Sequence, residues 1–276
     1  MSNPFTNPTK KPITEDGVYD NAELGLANRN SGTLLETLAL DITPSGAHYL
    51  LTHFDTPILD SNKHLLKFDG AFKNPFEITL SEICNLPKTT MPVTLECSGN
   101  GRAGISPRRY SMPWEYEAVG TSEWTGTLLA PLMAQANPSK DTVEISFTGA
   151  DYGYDAGVGH YFGRSLTLEQ ISNLEVLLIY EMNGQPLLPQ HGAPLRLLVP
   201  GWYGMASVKW LNKIEALTEQ FTGFQQIQTY RFRKRVEDEG LPITQIRVKS
   251  LMVPPGAPDW LSRDRCLDEG AVIIKG

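Results

Sequence analysis

Cys97 heads a segment, Cys97-Ser98-Gly99-Asn100-Gly101-Arg102-Ala103-Gly104, that places three glycines and an arginine within seven residues of a thiol. A thiol suits two tasks, ligating a soft metal as thiolate or attacking an electrophile, and a nearby guanidinium with converging amides would lower its pKa for either. The third reading is a buried structural cysteine. Glycines without side-chain bulk let backbone amides approach a ligand closely, and Arg102 adds a planar fork of donors, so the loop suits an oxyanion or a phosphate. Gly99, Gly101 and Gly104 formally match a dinucleotide-binding fingerprint, but that motif needs a helix opening at its third glycine. Here Pro107 and Pro113 follow without helical apolar spacing, which argues against it. Other groups able to bind or transfer charge are spread along the chain: His53, Asp151, His160, His191, Arg196, Lys209 and Tyr230.

The elements that must position them follow from local pattern. Val93, Thr94 and Leu95 after Pro92 read as a strand that delivers Cys97. Residues 48–54 read as a strand ending at the turn Asp55-Thr56-Pro57 and presenting His53. A further strand is expected over 65–69, then a short helix capped by Ser81 and closed by Pro87, with Cys84 in the core. Residues 128–136 form an apolar helix that stops before Asn137-Pro138. The strand over 142–147 passes into a loop carrying Asp151, whose local alternative is an Asx-type turn. His160 in the following loop reads as a surface histidine. Asn183-Gly184 between two apolar runs is the strongest hairpin signal in the chain. The run 194–200 reads as a buried strand with Arg196 inside it, and a charge so placed needs a partner. Lys209 opens the next strand. Arg231 to Arg235 form a basic cluster that reads as a solvated face, with Tyr230 able to point inward. Two more strands are expected over 246–255 and 271–276.

The totals exclude several classes. A chain of 276 residues with 41% hydrophobic residues can bury a sizeable core, and a net charge of −7 disfavours nucleic acid and anionic membranes. No run is apolar enough to span a bilayer, and the first residues show no signal core, so the expected location is cytoplasmic. Cys84, Cys97 and Cys266 are too few and too scattered for a disulfide framework or a zinc site.

Four motifs in order carry a resemblance. Leu95-Glu96-Cys97-Ser98-Gly99-Asn100-Gly101-Arg102, Tyr180-Glu181-Met182-Asn183-Gly184-Gln185-Pro186-Leu187, the run from His191 to Arg196, and Val199-Pro200-Gly201 through Ser207-Val208-Lys209-Trp210 closely resemble the sulfite oxidase family of molybdenum enzymes, over roughly 34–249. The resemblance implies an α+β fold: an N-terminal arm over 1–30, a molybdopterin-binding catalytic domain over 31–220, a connecting segment over 221–246, and over 247–276 the start of a truncated immunoglobulin-like β-sandwich that in the family makes the homodimer. It implies Mo-molybdopterin as cofactor and Cys97 as the thiolate ligand of the metal. His53, Asp151, His191, Arg196, Ser207, Val208 and Lys209 fall where the family holds the pterin and its phosphate. Arg102 matches an active-site arginine and Tyr230 the tyrosine near the metal's oxygen ligand.

The implied activity is two-electron oxygen-atom transfer on a small oxyanion, with electrons passed to a separate acceptor such as a cytochrome. Two departures bear on the substrate. Sulfite-oxidising members carry an arginine two places before the histidine, where this chain has Leu51, and a lysine of the family pattern is missing near Gly120. That leaves Arg102, with Arg108 or Arg109 as helpers. The rival readings are a reductase of nitrate or a sulfoxide on the same site, and a truncated protein that holds cofactor without turnover.

Overall fold

The structure is a computed structural model that describes residues 21–106, 111–235, 237–259, 261–262 and 264–276. Two five-stranded sheets carry it. The first orders β2 (Phe76–Thr79), β1 (Leu65–Gly70), β10 (Leu211–Leu217), β5 (Glu144–Asp155) and β6 (Val158–Thr167), antiparallel except for the parallel pair β1 and β10. The second orders β3 (Thr89–Glu96), β4 (Val119–Leu128), β7 (Leu177–Met182) and β8 (Gln185–Pro186), with β9 (Arg196–Leu198) also on β7. Two-stranded pairs join β11 (Arg231–Phe232) to β12 (Leu241–Pro242) and β13 (Ala257–Pro258) to β14 (Arg265–Cys266). The helices are short: α1 (Asn21–Arg29), α2 (Leu80–Cys84), α3 (Leu129–Ala136) and α4 (Leu168–Asn173).

The unbroken apolar run of β7 has a physical reason: its two faces serve two cores. Leu177, Ile179 and Met182 join one cluster with Val93, Leu95, Trp114 and Trp124; Leu178 and Tyr180 join the other with Phe147, Phe162, Leu166 and Ile214. β9 divides the same way, Leu198 to the first cluster and Leu197 to the second, as side chains alternating across a pleated strand must. Arg196 has the parity of Leu198, and its guanidinium stacks over Trp124 at 4.9 Å. The hairpin between β7 and β8 turns at Asn183 and Gly184, with φ of 52° and 70°, the left-handed pair that its two-residue turn requires.

Several expectations hold: strand β1, helix α3, and a strand that ends one residue before Cys97. Residues 102–104 make one 3-10 turn where a dinucleotide site would have its helix. Others are corrected. Residues 48–54 form no strand; Leu50 makes a single bridge to Ser31, and the backbone is otherwise irregular. Helix α2 begins earlier than expected, capped reciprocally by Thr79 and Glu82, and Cys84 at its last turn is exposed rather than in the core. The expected loop around Asp151 belongs to β5, and His160 lies on β6. The two strands expected near the C-terminus are absent among the described residues: only the bridge between Val253 and Lys275 and the pair β13–β14 form. Pro254, Pro255 and Pro258 remove ladder donors there, and Val248 and Ile273 stay exposed. No helix among the described residues is long and apolar enough to cross a membrane.

Candidate active site

The ends of β3, β5, β6 and β9 converge with the irregular 48–53 segment on one cavity of about 680 Å³, counting its open mouth. Its lining includes Cys97, His53, Asp151, His191, Arg196, Ser207, Lys209 and Tyr230, so eight of the ten residues singled out from the sequence meet in one place.

Cys97 closes strand β3. Its amide donates to the Ala118 carbonyl (2.9 Å), and the chain then turns tightly, Asn100 N–H returning to the Cys97 carbonyl (2.9 Å). The Asn100 amide side chain fixes the turn from both sides, donating to Glu96 (3.0 Å) and accepting from Ala118 N–H (3.1 Å). Glu96 is buried and is also paired with Lys249. The Gly99 amide points at the sulfur (3.4 Å). The Arg102 guanidinium lies where a Cβ at Gly99 would project, so a larger residue there would displace it. Burial raises the Cys97 pKa; the Gly99 amide, the Arg102 charge and the Trp114 indole oppose it. The thiol is thus not the activated nucleophile that the loop composition suggests.

Arg102 does not line the cavity. Its Nη1 donates to Ser111 Oγ (2.9 Å) and to the Met112 carbonyl (2.9 Å), so part of its fork is committed to the protein. Val208 also lies off the cavity, buried in the core with its carbonyl accepting from Leu197 N–H (2.8 Å). Arg108 and Arg109 lie outside the described residues.

The opposite wall is cationic. Arg196 donates to the carbonyls of His191 (2.9 Å) and Ser207 (3.0 Å), and its Nε has no partner. Lys209 Nζ donates to the carbonyls of Leu51 (2.9 Å) and Gln190 (3.0 Å) and to Thr52 Oγ1 (3.2 Å). Burial, then the charge of Arg196, lowers Lys209 to about 7, and burial lowers Arg196 to about 10. Ser207 Oγ accepts from Val199 N–H (3.1 Å). Asp151 is the one carboxylate of the lining; its Oδ1 has no partner. It reaches the cavity because the β5–β6 register shifts between Thr148 and Tyr152, the kind of bulge that re-aims a side chain.

Tyr230 follows a π-helical turn, Gln225–Thr229, and shares a short hydrogen bond with His53 Nε2 (2.5 Å). Burial raises the Tyr230 pKa and lowers that of His53 to about 3, so both are neutral and one proton lies between them. Sequence reasoning passed over other lining residues: His48, Tyr49 and Leu50 from the irregular segment, and Gln190. The repeated histidines His48 and His53 were the available signal for that segment. Trp114, buried in the same cluster as Cys97, left no sequence signal.

Burial also lowers His48 to about 4 and His191 to about 3, and raises Asp151 to about 6. A histidine with a depressed folded pKa contributes fully above its unfolded value of 6.5 and loses that contribution as pH falls; a carboxyl with a raised pKa contributes below 3.8 and loses it as pH rises through about 6. Between pH 6 and 4 the fully buried His48 and His191 outweigh Asp151, and His53, partly open, adds a smaller share. The cofactor-free protein is expected to lose about 2 kcal/mol per pH unit in this window. Urea midpoints at pH 7, 6 and 5 measure it, and a flat series would show that these histidines accept protons without unfolding.

The wall tests the fit of a bound group. Arg196 and Lys209 face one carboxylate, and Arg196 Nε and Asp151 Oδ1 lack partners. An anionic ligand rich in donors and acceptors satisfies both. The chain matches the profile of the oxidoreductase molybdopterin binding domain over residues 53–225. It is 34% identical over 202 residues to the sulfite oxidase of Arabidopsis thaliana, covering 69% of this chain and 51% of that protein. It is 31% identical over 250 residues to the mitochondrial sulfite oxidase of Homo sapiens, covering 85% and 44%, and 34% identical over 180 residues to an NADH nitrate reductase of Ulva prolifera, covering 63% and 21%. The crystal structure of the sulfane dehydrogenase SoxCD from Paracoccus pantotrophus shares the fold with a TM-score of 0.63 at 22% identity, covering 83% of this chain and 61% of that one. The chain spans about half or less of the length of these curated relatives. With the profile covering more than half of the chain and most of the cavity's lining, this protein belongs to the oxidoreductase molybdopterin-binding domain family, whose cofactor is Mo-molybdopterin.

Proposed function

We propose that the cavity performs oxygen-atom transfer on a small oxyanion, with Cys97 as the protein ligand of molybdenum. The observation that carries this is the meeting of a buried thiol with the buried Arg196 and the half-buried Lys209, two cations that face the single carboxylate of Asp151, around one cleft. When bound, the molybdenum cofactor supplies a two-electron oxygen transfer whose electrons leave to a separate acceptor, such as a cytochrome. The chain's own residues do the rest. Arg196, Lys209 and Ser207 bind the anionic tail of the pterin, which replaces the missing counter-charge. Asp151 accepts from ring N–H groups, and His191 shapes the same wall. Tyr230 and His53 hold one proton at the cavity wall, available to an oxygen that gains or loses charge. Leu50, Leu51, Phe162 and Met205 give the cavity an apolar lining that helps exclude water.

In this reading residues 31–220 are the catalytic domain, 221–246 connect it, and 247–276 belong to a dimerisation region. A second direction, reduction of nitrate, is favoured by one observation: among the described residues the Leu51 position brings an apolar side chain, not a cation, to the cavity lining, which suits a singly charged substrate better than sulfite. The test is elemental. Protein purified from a host that makes the cofactor is expected to hold about one molybdenum per chain, with pterin released on oxidative denaturation. Sulfite with an artificial one-electron acceptor, and nitrate with a reduced dye, then decide direction. Absence of both molybdenum and pterin would overturn the reading.

A further inference from the structure

Arg164 is a buried cation that the reading above does not use. It sits on β6 opposite Phe147 and is 3% exposed. Its Nη1 donates to the Gln225 carbonyl (3.2 Å), its Nε has no partner, and among the described residues it makes no ion pair. A buried guanidinium without a carboxylate is costly, so its place needs a reason. Alternation along β6 supplies the direction. Phe162, two residues earlier on the same face, lines the cavity and stacks near His53 at 4.8 Å. Arg164 therefore lies one step deeper behind that wall.

Its contacts lead to Tyr230. The Arg164 Cζ stands 5.5 Å from the centre of the Tyr230 ring. The Gln225 carbonyl that accepts from Arg164 also accepts from the Tyr230 backbone N–H (3.1 Å), so one oxygen ties guanidinium and tyrosine together at the end of the π-helical turn. Such turns are energetically poor and recur at functional sites, where something must hold them. On the cavity side, Lys209 spends its three donors on the protein, and Arg102 points Nη1 away from the lining. Arg164 is thus, among the described residues, a charge without a counter-ion set against the ring of Tyr230.

We propose that Arg164 is a positioning residue: through the Gln225 carbonyl and the Tyr230 ring it fixes the Tyr230 hydroxyl against His53, and its charge raises the affinity of the cavity for an oxyanion. This rests on the reading of the cavity as an oxyanion site. A unit charge on the order of 10 Å from a bound anion, at an effective dielectric near 20, corresponds to at least about a tenfold change in affinity.

Sulfate is the probe, titrated calorimetrically into the molybdenum-loaded protein without a reductant or acceptor, so that binding is read apart from turnover. Arg164→Gln is expected to keep its molybdenum and to weaken sulfate about tenfold. Arg164→Lys keeps the charge and loses the fork: sulfate affinity stays within about threefold of wild type, while kcat falls about tenfold because the hydroxyl is less well held. Combining Arg164→Gln with Tyr230→Phe is expected to give a kcat no lower than Tyr230→Phe alone, since one acts through the other. Loaded Arg164→Gln with unchanged sulfate affinity would overturn the proposal. If Arg164→Gln does not fold, Arg164→Lys decides: sulfate weakened tenfold refutes the charge role, and wild-type kcat refutes the positioning role. A wild-type protein that binds neither molybdenum nor sulfate would instead sink the cavity reading itself.

Discussion

Cys97→Ser is expected to leave the fold in place and to lower turnover by more than about a hundredfold, beyond what loss of an outer-shell contact to a metal ligand costs. The substitution is nearly isosteric. The hydroxyl keeps the tight turn in which Asn100 returns to the carbonyl of residue 97, and it can still accept from the Gly99 amide. A stability change within about 1 kcal/mol follows from exchanging one weak acceptor for a stronger one in the same pocket. The chemical change is larger. A hard oxygen donor in place of a soft sulfur alters both the affinity for the metal and the potential at which it accepts electrons. Circular dichroism and thermal unfolding should superimpose on wild type. Pterin content should stay high if Arg196, Lys209 and Ser207 hold the anionic tail as proposed, because none of their hydrogen bonds involves Cys97. Steady-state turnover with the substrate found in the screen supplies the decision. Activity within tenfold of wild type would remove Cys97 from the metal and return it to the buried structural cysteine that its raised pKa allows.

The residues that made the site legible were those whose chemistry depends on local spacing. Cys97 after a short β run, the Asn183-Gly184 turn and the apolar run with Arg196 inside it were each readable because a strand end, a left-handed turn or a buried charge is written in a few adjacent residues. The failures share a different cause. Residues 48–51 and 53 all contribute to one cavity wall, and only an irregular backbone can send successive side chains the same way. A strand sends them to alternate faces. The β-prone text there reflected a wall, not a pleat. Asp151 was read as a loop residue because the shift in register that turns it inward is a property of the pairing with β6. Arg164 had no signal at all: its meaning depends on Gln225 and Tyr230, sixty residues away, which the π-helical turn brings beneath it. Near the C-terminus the β-prone text around Val248 and Ile273 lacks a partner sheet among the described residues, and propensity without partners does not make strands.

Arg196→Met is expected to release the cofactor, and its effect divides into two measurable parts. In the wild type the guanidinium satisfies the carbonyls of His191 and Ser207 while stacking over Trp124. Methionine fills much of the volume and removes the cost of burying a charge, but it strands both carbonyls at about 1–3 kcal/mol each. The cofactor-free variant is therefore expected to be about 2–4 kcal/mol less stable than the cofactor-free wild type, read from urea unfolding at pH 7.5, where the buried histidines are neutral in either state. The loaded protein loses more. A charge-assisted contact to an anionic tail is worth about 1.5–3 kcal/mol, so the variant should hold molybdopterin about 10- to 150-fold more weakly and lose molybdenum on gel filtration. Arg196→Lys separates the parts: the ammonium keeps the charge but cannot bridge two carbonyls with one planar fork, so molybdenum retention should recover further than stability does. Full molybdenum retention in a folded Arg196→Met protein would place the anionic tail elsewhere and leave the buried guanidinium as a brace between two loops. Loss of molybdenum with recovery by lysine would identify the missing counter-charge of this wall as the ligand's own.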